Sequence, residues 1–195
     1  MEARISQPRG GKPIRSPKVA QRRSRMRAEL VSAGAALFAR GGIGAVSVED
    51  IIEAAGVSRA TFYGIFANKQ ELLAAILEPV FNEGAAALDA LAGAHAEEIV
   101  PGIAQVYEAL WATRRDAMCL IAGIDQSVFP YLREGHDRFT SSLRRQLEEV
   151  QAAGLLRNSS AELSFRVVAR TAVPVSRGHR PVPFARPFWK LLTEG

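Results

Sequence analysis

Proline lacks a backbone donor and clashes with the preceding turn, so its positions limit where a long helix can run. Of the ten prolines, Pro8, Pro13 and Pro17 stand near the start of the chain and Pro174, Pro181, Pro183 and Pro187 near its end. Only Pro79, Pro101 and Pro130 fall between them. The long middle is therefore open to helices. Its apolar residues recur at helical spacing instead of alternating, and no Asn-Gly or Asp-Gly hairpin signal occurs. The expectation is an all-α protein.

Local signals divide that middle. A first helix is expected from about Arg22 to Arg40, with Leu30, Ala33, Leu37 and Phe38 on one face. Gly41-Gly42 stops it, because glycine accepts the left-handed geometry of a helix end. Ser47 caps a second helix with Asp50 behind it, and Val46 and Ile51 form a staple across the cap. This helix ends at Ala55. Ser58 caps a third, from Arg59 to Phe66. Asn68 caps a fourth together with Glu71, and Leu72, Leu73, Ile76, Leu77 and Val80 give it a buried stripe, with Pro79 a place for a kink. Further helices are expected over about Pro101–Arg114, with a start near His95 as an alternative, and about Asp116–Ser127. Pro130 suits the first turn of a long helix reaching Ala153. Ser159 and Glu162 cap a helix from about Ala161 to Ala172, and a short last helix from Pro187 holds Phe188, Trp189, Leu191 and Leu192.

Charge is unevenly spread. The whole chain is +5, yet residues 1–27 hold nine Lys and Arg against the single Glu2, so the remainder is net acidic. A basic end on an acidic body suits a polyanion partner at that end, or else a solvated tail. Residues 1–20 read as a disordered basic arm. No apolar run reaches the length of a membrane span, no secretory signal is evident, and the lone Cys119 cannot form an intramolecular disulfide; a reducing cytoplasm is expected.

Residues 47–66 carry the function. Two short helices meet at Ala55-Gly56-Val57, a turn that glycine permits without strain. Val48, Ile51, Ile52, Val57 and Phe62 can form the small core that fixes the angle between them. The second helix then presents Ser58, Arg59, Ala60, Thr61 and Tyr63. Small, hydroxyl-bearing and basic side chains are what a recognition helix needs to sink into the major groove. An ordinary surface hairpin of helices is the alternative.

The run GVSRATFYGIFANKQELL, Gly56 to Leu73, resembles the signature of the tetracycline-repressor (TetR) family. Thr61-Phe62-Tyr63, Phe66, Lys69 and Glu71-Leu72-Leu73 match it. Upstream, Phe38, Gly41, Gly42, Ser47, Ile51, Ala54, Ala55, Gly56 and Val57 match as well, so the likeness covers roughly residues 22–80. It departs at Ile65, where the family usually has an aromatic residue or His, and at Gly64, where a large side chain is common. The family also closes its dimer with two long C-terminal helices, whereas here the last reads as short.

The resemblance implies an N-terminal three-helix helix-turn-helix DNA-binding domain followed by a helical ligand-binding and dimerisation domain. The boundaries expected are 1–20 for the arm, 21–67 for the DNA-binding domain and 68–195 for the regulatory domain. It implies a regulator that binds a double-stranded operator, most simply a repressor released by a small-molecule inducer. Arg59 is expected on a base edge, with Thr61 and Ala60 at a thymine methyl or a phosphate. Ser47, Ser58 and Tyr63 are expected on phosphates, as is Lys69, where a phosphate at the helix N-terminus would offset the unfavourable cation. Arg22, Arg23 and Arg25 are expected to reach phosphate or the minor groove.

In the body, Phe81, Tyr107, Trp111, Met118 and Phe129 are candidates for a small-molecule pocket, with plain core as the alternative. A homodimer is expected through Leu163, Phe165, Val167 and Val168. His95, His136 and His179 lack metal-ligand spacing, and no Gly-x-Ser-x-Gly, phosphate loop or carboxylate pair is set up for catalysis. No metal, cofactor, membrane or enzymatic role is expected. A helical module that meets nucleic acid through shape and charge alone is the second reading.

Overall fold

The computed structural model describes residues 17–121, 123–177, 189–190 and 192–193. Within these, α1 spans Pro17–Gly41, α2 Val48–Ala55, α3 Arg59–Ile65, α4 Lys69–Asp89, α5 Ala96–Ile121, α6 Phe129–Ala152 and α7 Ala161–Arg177. The protein is all-α, as expected: three helices form an N-terminal unit and the rest a helical body. No described helix is long and apolar enough to cross a membrane.

The central element is α4, which packs on α1, α5 and α6. Its expected stripe is buried, and it continues through Pro79. Near its far end Gly84 lets α6 come close: a methyl group there would lie 2.5 Å from Cε2 of Phe139. Beyond it, the Asp89 carboxylate accepts from Ser142 Oγ at 2.6 Å and faces Arg138 and Arg145, which fastens α4 to α6. These partners, Ser142 foremost, hold the Asp89 carboxyl below its ordinary range, and Arg114 does the same for Glu83. A carboxyl lowered on folding binds protons more readily in the unfolded chain. Its contribution is therefore full above the ordinary carboxyl range and disappears as pH falls to the folded value. The urea midpoint should thus hold steady from pH 7 to 5 and drop below pH 4, and Asp89→Asn should flatten that drop.

Several elements differ from expectation. α1 starts at Pro17, inside the stretch assigned to the arm, because proline suits the first turn, where its missing N–H is not needed. Residues 1–16 lie outside the described ones. The two helices expected around residue 115 are one element broken at Arg114, whose φ of −131° leaves the helical region; Glu83 on α4 takes its guanidinium. That element stops at Ile121 instead of Ser127, and Asp125 turns the chain by accepting from the Ser127 N–H at 2.8 Å. The cap of α7 is Ser160, whose Oγ accepts from Leu163, and Ser159 instead adopts a positive φ of 54°. α7 also runs on to Arg177, past Ala172.

The expected dimer face needs correction. Phe165 and Val168 are buried within the chain, and the Arg144 guanidinium lies 3.7 Å from the centre of the Phe165 ring. Leu163 is 49% exposed and Val167 half-buried. An apolar helix has two sides to share, and 163 and 167, four apart, take the outer one. Of the expected last helix, Trp189 and Leu192 are buried, and Leu192 O accepts from the Arg157 N–H at 2.8 Å; residues 178–188 and 191 lie outside the described ones.

Candidate nucleic-acid interface

The two short helices are fixed by local chemistry. Ser47 and Asp50 cap α2 reciprocally, as expected. Gly56 takes φ 62° at the C-terminus of α2, and the Val57 N–H returns to Ile52 O, so the chain reverses within three residues. Ser58 Oγ then accepts from the Thr61 N–H at 3.1 Å and starts α3. Ile51 and Phe62 are fully buried between the helices, with Val48, Ile52 and Val57 half-buried around them.

This leaves an exposed face on α3. Ser58, Arg59 and Ala60 are exposed, Thr61 is half-exposed and Tyr63 is 47% exposed. The Arg59 guanidinium lies 5.6 Å from the Tyr63 ring centre, and its Nη1 donates to Glu49 Oε1 at 2.8 Å. A planar fork is thus held against a ring and a carboxylate while most of its donors stay available. Glu49 had no part in the expectation; as an exposed acid in the first turn of α2 it reads simply as a helix-dipole partner. Gly64 is exposed, and a methyl group there would meet nothing within 4 Å.

Other expected contacts are otherwise engaged. Lys69 does not point outward. Its Nζ donates to Ile43 O and Val46 O, each at 2.9 Å, so it closes the loop between α1 and α2. Those carbonyls follow the end of α1 and have no helical partner, and the ammonium supplies a donor to each. The N-terminus of α4 is occupied as well: Asn68 Oδ1 accepts from the Glu71 N–H, and Glu71 reaches back to the Ala67 N–H. The Ser47 hydroxyl donates to Asp50 at 2.7 Å, and the Ser58 and Thr61 hydroxyls share a hydrogen bond. Arg23 donates to Gly64 O and so ties α1 to the end of α3. Arg25 pairs with Glu29, and Arg22 is exposed on the same helix.

The body holds a partly open cavity of about 280 Å³ between α4, α5, α6 and α7. Phe81, Tyr107, Met118 and Phe129 line it, with His136, Phe139 and Thr140. Trp111 does not. It is buried one residue beyond Leu110, which does line the cavity, and so is turned about 100° from it around the helix. The His136 ring stands edge-on to Phe81 and Phe129, 5.7 and 5.5 Å away.

One segment touches both regions. Between α5 and α6, Ile121, Ile124 and Phe129 face the cavity. On its other side Gly123, Asp125 and Ser127 surround a hollow shared with Ile43, Gly44 and Lys69. Hydrogen bonds from Ser127, with the charge of Lys69 adding to them, keep the Asp125 carboxyl low. Just beyond, Asn68 Nδ2 donates to Tyr131 Oη at 2.8 Å, joining the cap of α4 to α6.

Comparisons with known proteins agree with this arrangement. Residues 30–76 match the profile of bacterial regulatory proteins of the tetR family. The transcriptional repressor KstR2 of Rhodococcus jostii is 30% identical over 174 residues, 82% of each chain. Among solved structures, PfmR from Thermus thermophilus, a TetR-family regulator, superimposes with a TM-score of 0.70 at 24% identity, over 85% of this chain and 97% of that one. KstR2 of Mycobacterium tuberculosis, a ketosteroid transcriptional regulator, gives 0.67 at 20% identity, over 87% and 95%. With its capped helix pair, its exposed third helix and a repressor relative matched along most of both chains, this protein belongs to the tetR family and is a DNA-binding transcriptional regulator.

Proposed function

We propose that the chain is a repressor that acts as a homodimer on a palindromic operator and is released by a small molecule bound in the cavity of its body. The observation that carries the reading is Arg59, exposed in the first turn of α3 and held in the open by Glu49 and Tyr63. A guanidinium there can donate twice to guanine O6 and N7, the commonest specific contact in the major groove. Ala60 and Thr61 beside it suit a thymine methyl, and Tyr63 and Ser58 suit phosphate oxygens. Arg22 and Arg25 lie along α1 for the backbone. Ser47 and Arg23 would have to exchange a partner within the chain for a phosphate, and Lys69 acts from inside the domain. The repressor named among the relatives supports the direction of control.

The division proposed is a DNA-binding domain at 21–67 and a regulatory domain from 68 onward. The outer face of α7, with Leu163 and Val167, is the proposed contribution to the dimer. A monomer in sedimentation at micromolar concentration without DNA would count against it. The protein works by binding, with no catalytic role, and in the cytoplasm, where its operator is.

Selecting bound duplexes from a random pool tests the DNA reading. The wild type should enrich a palindrome with half-sites about one helical turn apart. Arg59→Ala should lower the preference for that site over a scrambled duplex roughly tenfold, with weak binding to both retained. Equal loss on both duplexes would instead favour a module that recognises shape and charge, and no enriched sequence would end the operator reading.

A further inference from the structure

The described residues lining the cavity include no Asp, Glu, Lys or Arg. A buried carboxylate or phosphate without a partner is far costlier than a buried neutral oxygen, so a neutral ligand fits these described residues best. Its polar groups are those of Tyr107, His136 and Thr140. The Thr140 hydroxyl is committed to its own helix, donating toward His136 O and Asp137 O at 3.0 and 3.1 Å. His136 Nδ1 faces Asp137 Oδ1 at 3.4 Å. Tyr107 differs from both. It is only 8% exposed, and its hydroxyl makes no hydrogen bond among the described residues. Burial pushes its ionisation well above the ordinary tyrosine range, so it stays a donor at any physiological pH. A hydroxyl on the wall of a cavity can donate to an acceptor that enters it. Around it the walls are rings: Phe139 stands edge-on to Tyr107 at 6.1 Å and to Phe81 at 6.1 Å.

We propose that the cavity takes an uncharged, ring-bearing molecule with a carbonyl or ether oxygen, which accepts a hydrogen bond from the Tyr107 hydroxyl. Flat rings suit edge-on aromatic walls, and about 280 Å³ is at the small end for a ligand site, enough for a compact fused-ring compound. The proposal rests on the cavity being the inducer site.

Three probes of similar size separate the chemistry: acetylnaphthalene, ethylnaphthalene and naphthoate, each titrated against the full chain without DNA. The ketone and the hydrocarbon should raise the thermal midpoint, and naphthoate should not. Tyr107→Phe should weaken the ketone about fivefold and leave the hydrocarbon unchanged. The unchanged hydrocarbon also shows that the variant is folded. Equal weakening of both, a naphthoate shift matching the ketone's, or no shift from any probe would overturn the proposal. A second measurement, release of the selected duplex by the ketone, keeps the inducer reading separate. Binding with the expected Tyr107 dependence but no release would leave the ligand chemistry standing and remove the inducer role.

Discussion

Lys69→Met should cost about 2 kcal/mol of stability and leave the salt dependence of DNA binding unchanged. The ammonium serves two carbonyls, Ile43 O and Val46 O, in a half-buried position. Charge-assisted bonds of this kind contribute roughly 1.5–3 kcal/mol each when buried, and water entering the hollow would recover part of that. Methionine keeps the length and apolar stem of the side chain, so packing loss is small. DNA affinity should fall only as far as the loop before α2 shifts. Urea unfolding followed by circular dichroism gives the stability, and titrations at several salt concentrations give the slope. Unchanged stability with a slope smaller by about one ion per subunit would restore the phosphate contact that the sequence position suggests.

Gly84→Val should be the most damaging single change in the body, at about 3 kcal/mol. The added carbons would enter the space of the Phe139 ring, already 2.5 Å from where a first carbon would sit. The ring has little room to yield, since Phe81 and Tyr107 stand edge-on to it. If it swings, it does so into the cavity. Ligand affinity should therefore fall along with the melting midpoint, while affinity of the folded fraction for the selected duplex stays near wild type. A variant as stable as wild type would show that α4 and α6 can part at low cost.

The sequence reveals those features whose two halves lie within one turn of each other. The caps at Ser47, Ser58 and Asn68 each involve a backbone N–H three residues on, so short-range pattern reaches them. The stripe on α4 is legible because a helix must bury one face. Partners chosen across space are not legible. Lys69 finds carbonyls 23 and 26 residues back, Asn68 meets Tyr131 63 residues on, and Arg59 pairs with Glu49 from the preceding helix. The cap at Ser160 was missed by one residue because Ser159 and Ser160 are both good acceptors, and only the backbone angle chooses between them. For α7, an apolar face announces that something covers it. Whether the cover is the chain's own body, as at Phe165 and Val168, or another molecule is decided by how far the neighbouring helices reach.

On the proposed release by a small molecule, the segment between α5 and α6, with the cavity on one side and Lys69 and Asn68 on the other, has a consequence for dose. Coupling between two binding events is mutual: whatever factor the small molecule takes from operator affinity, the operator takes from affinity for the small molecule. Free protein would then be a poor guide to the response in a cell. The same regulator would need more ligand to leave a strong site than a weak one, so promoters differing only in operator strength would switch on in sequence as the ligand accumulates.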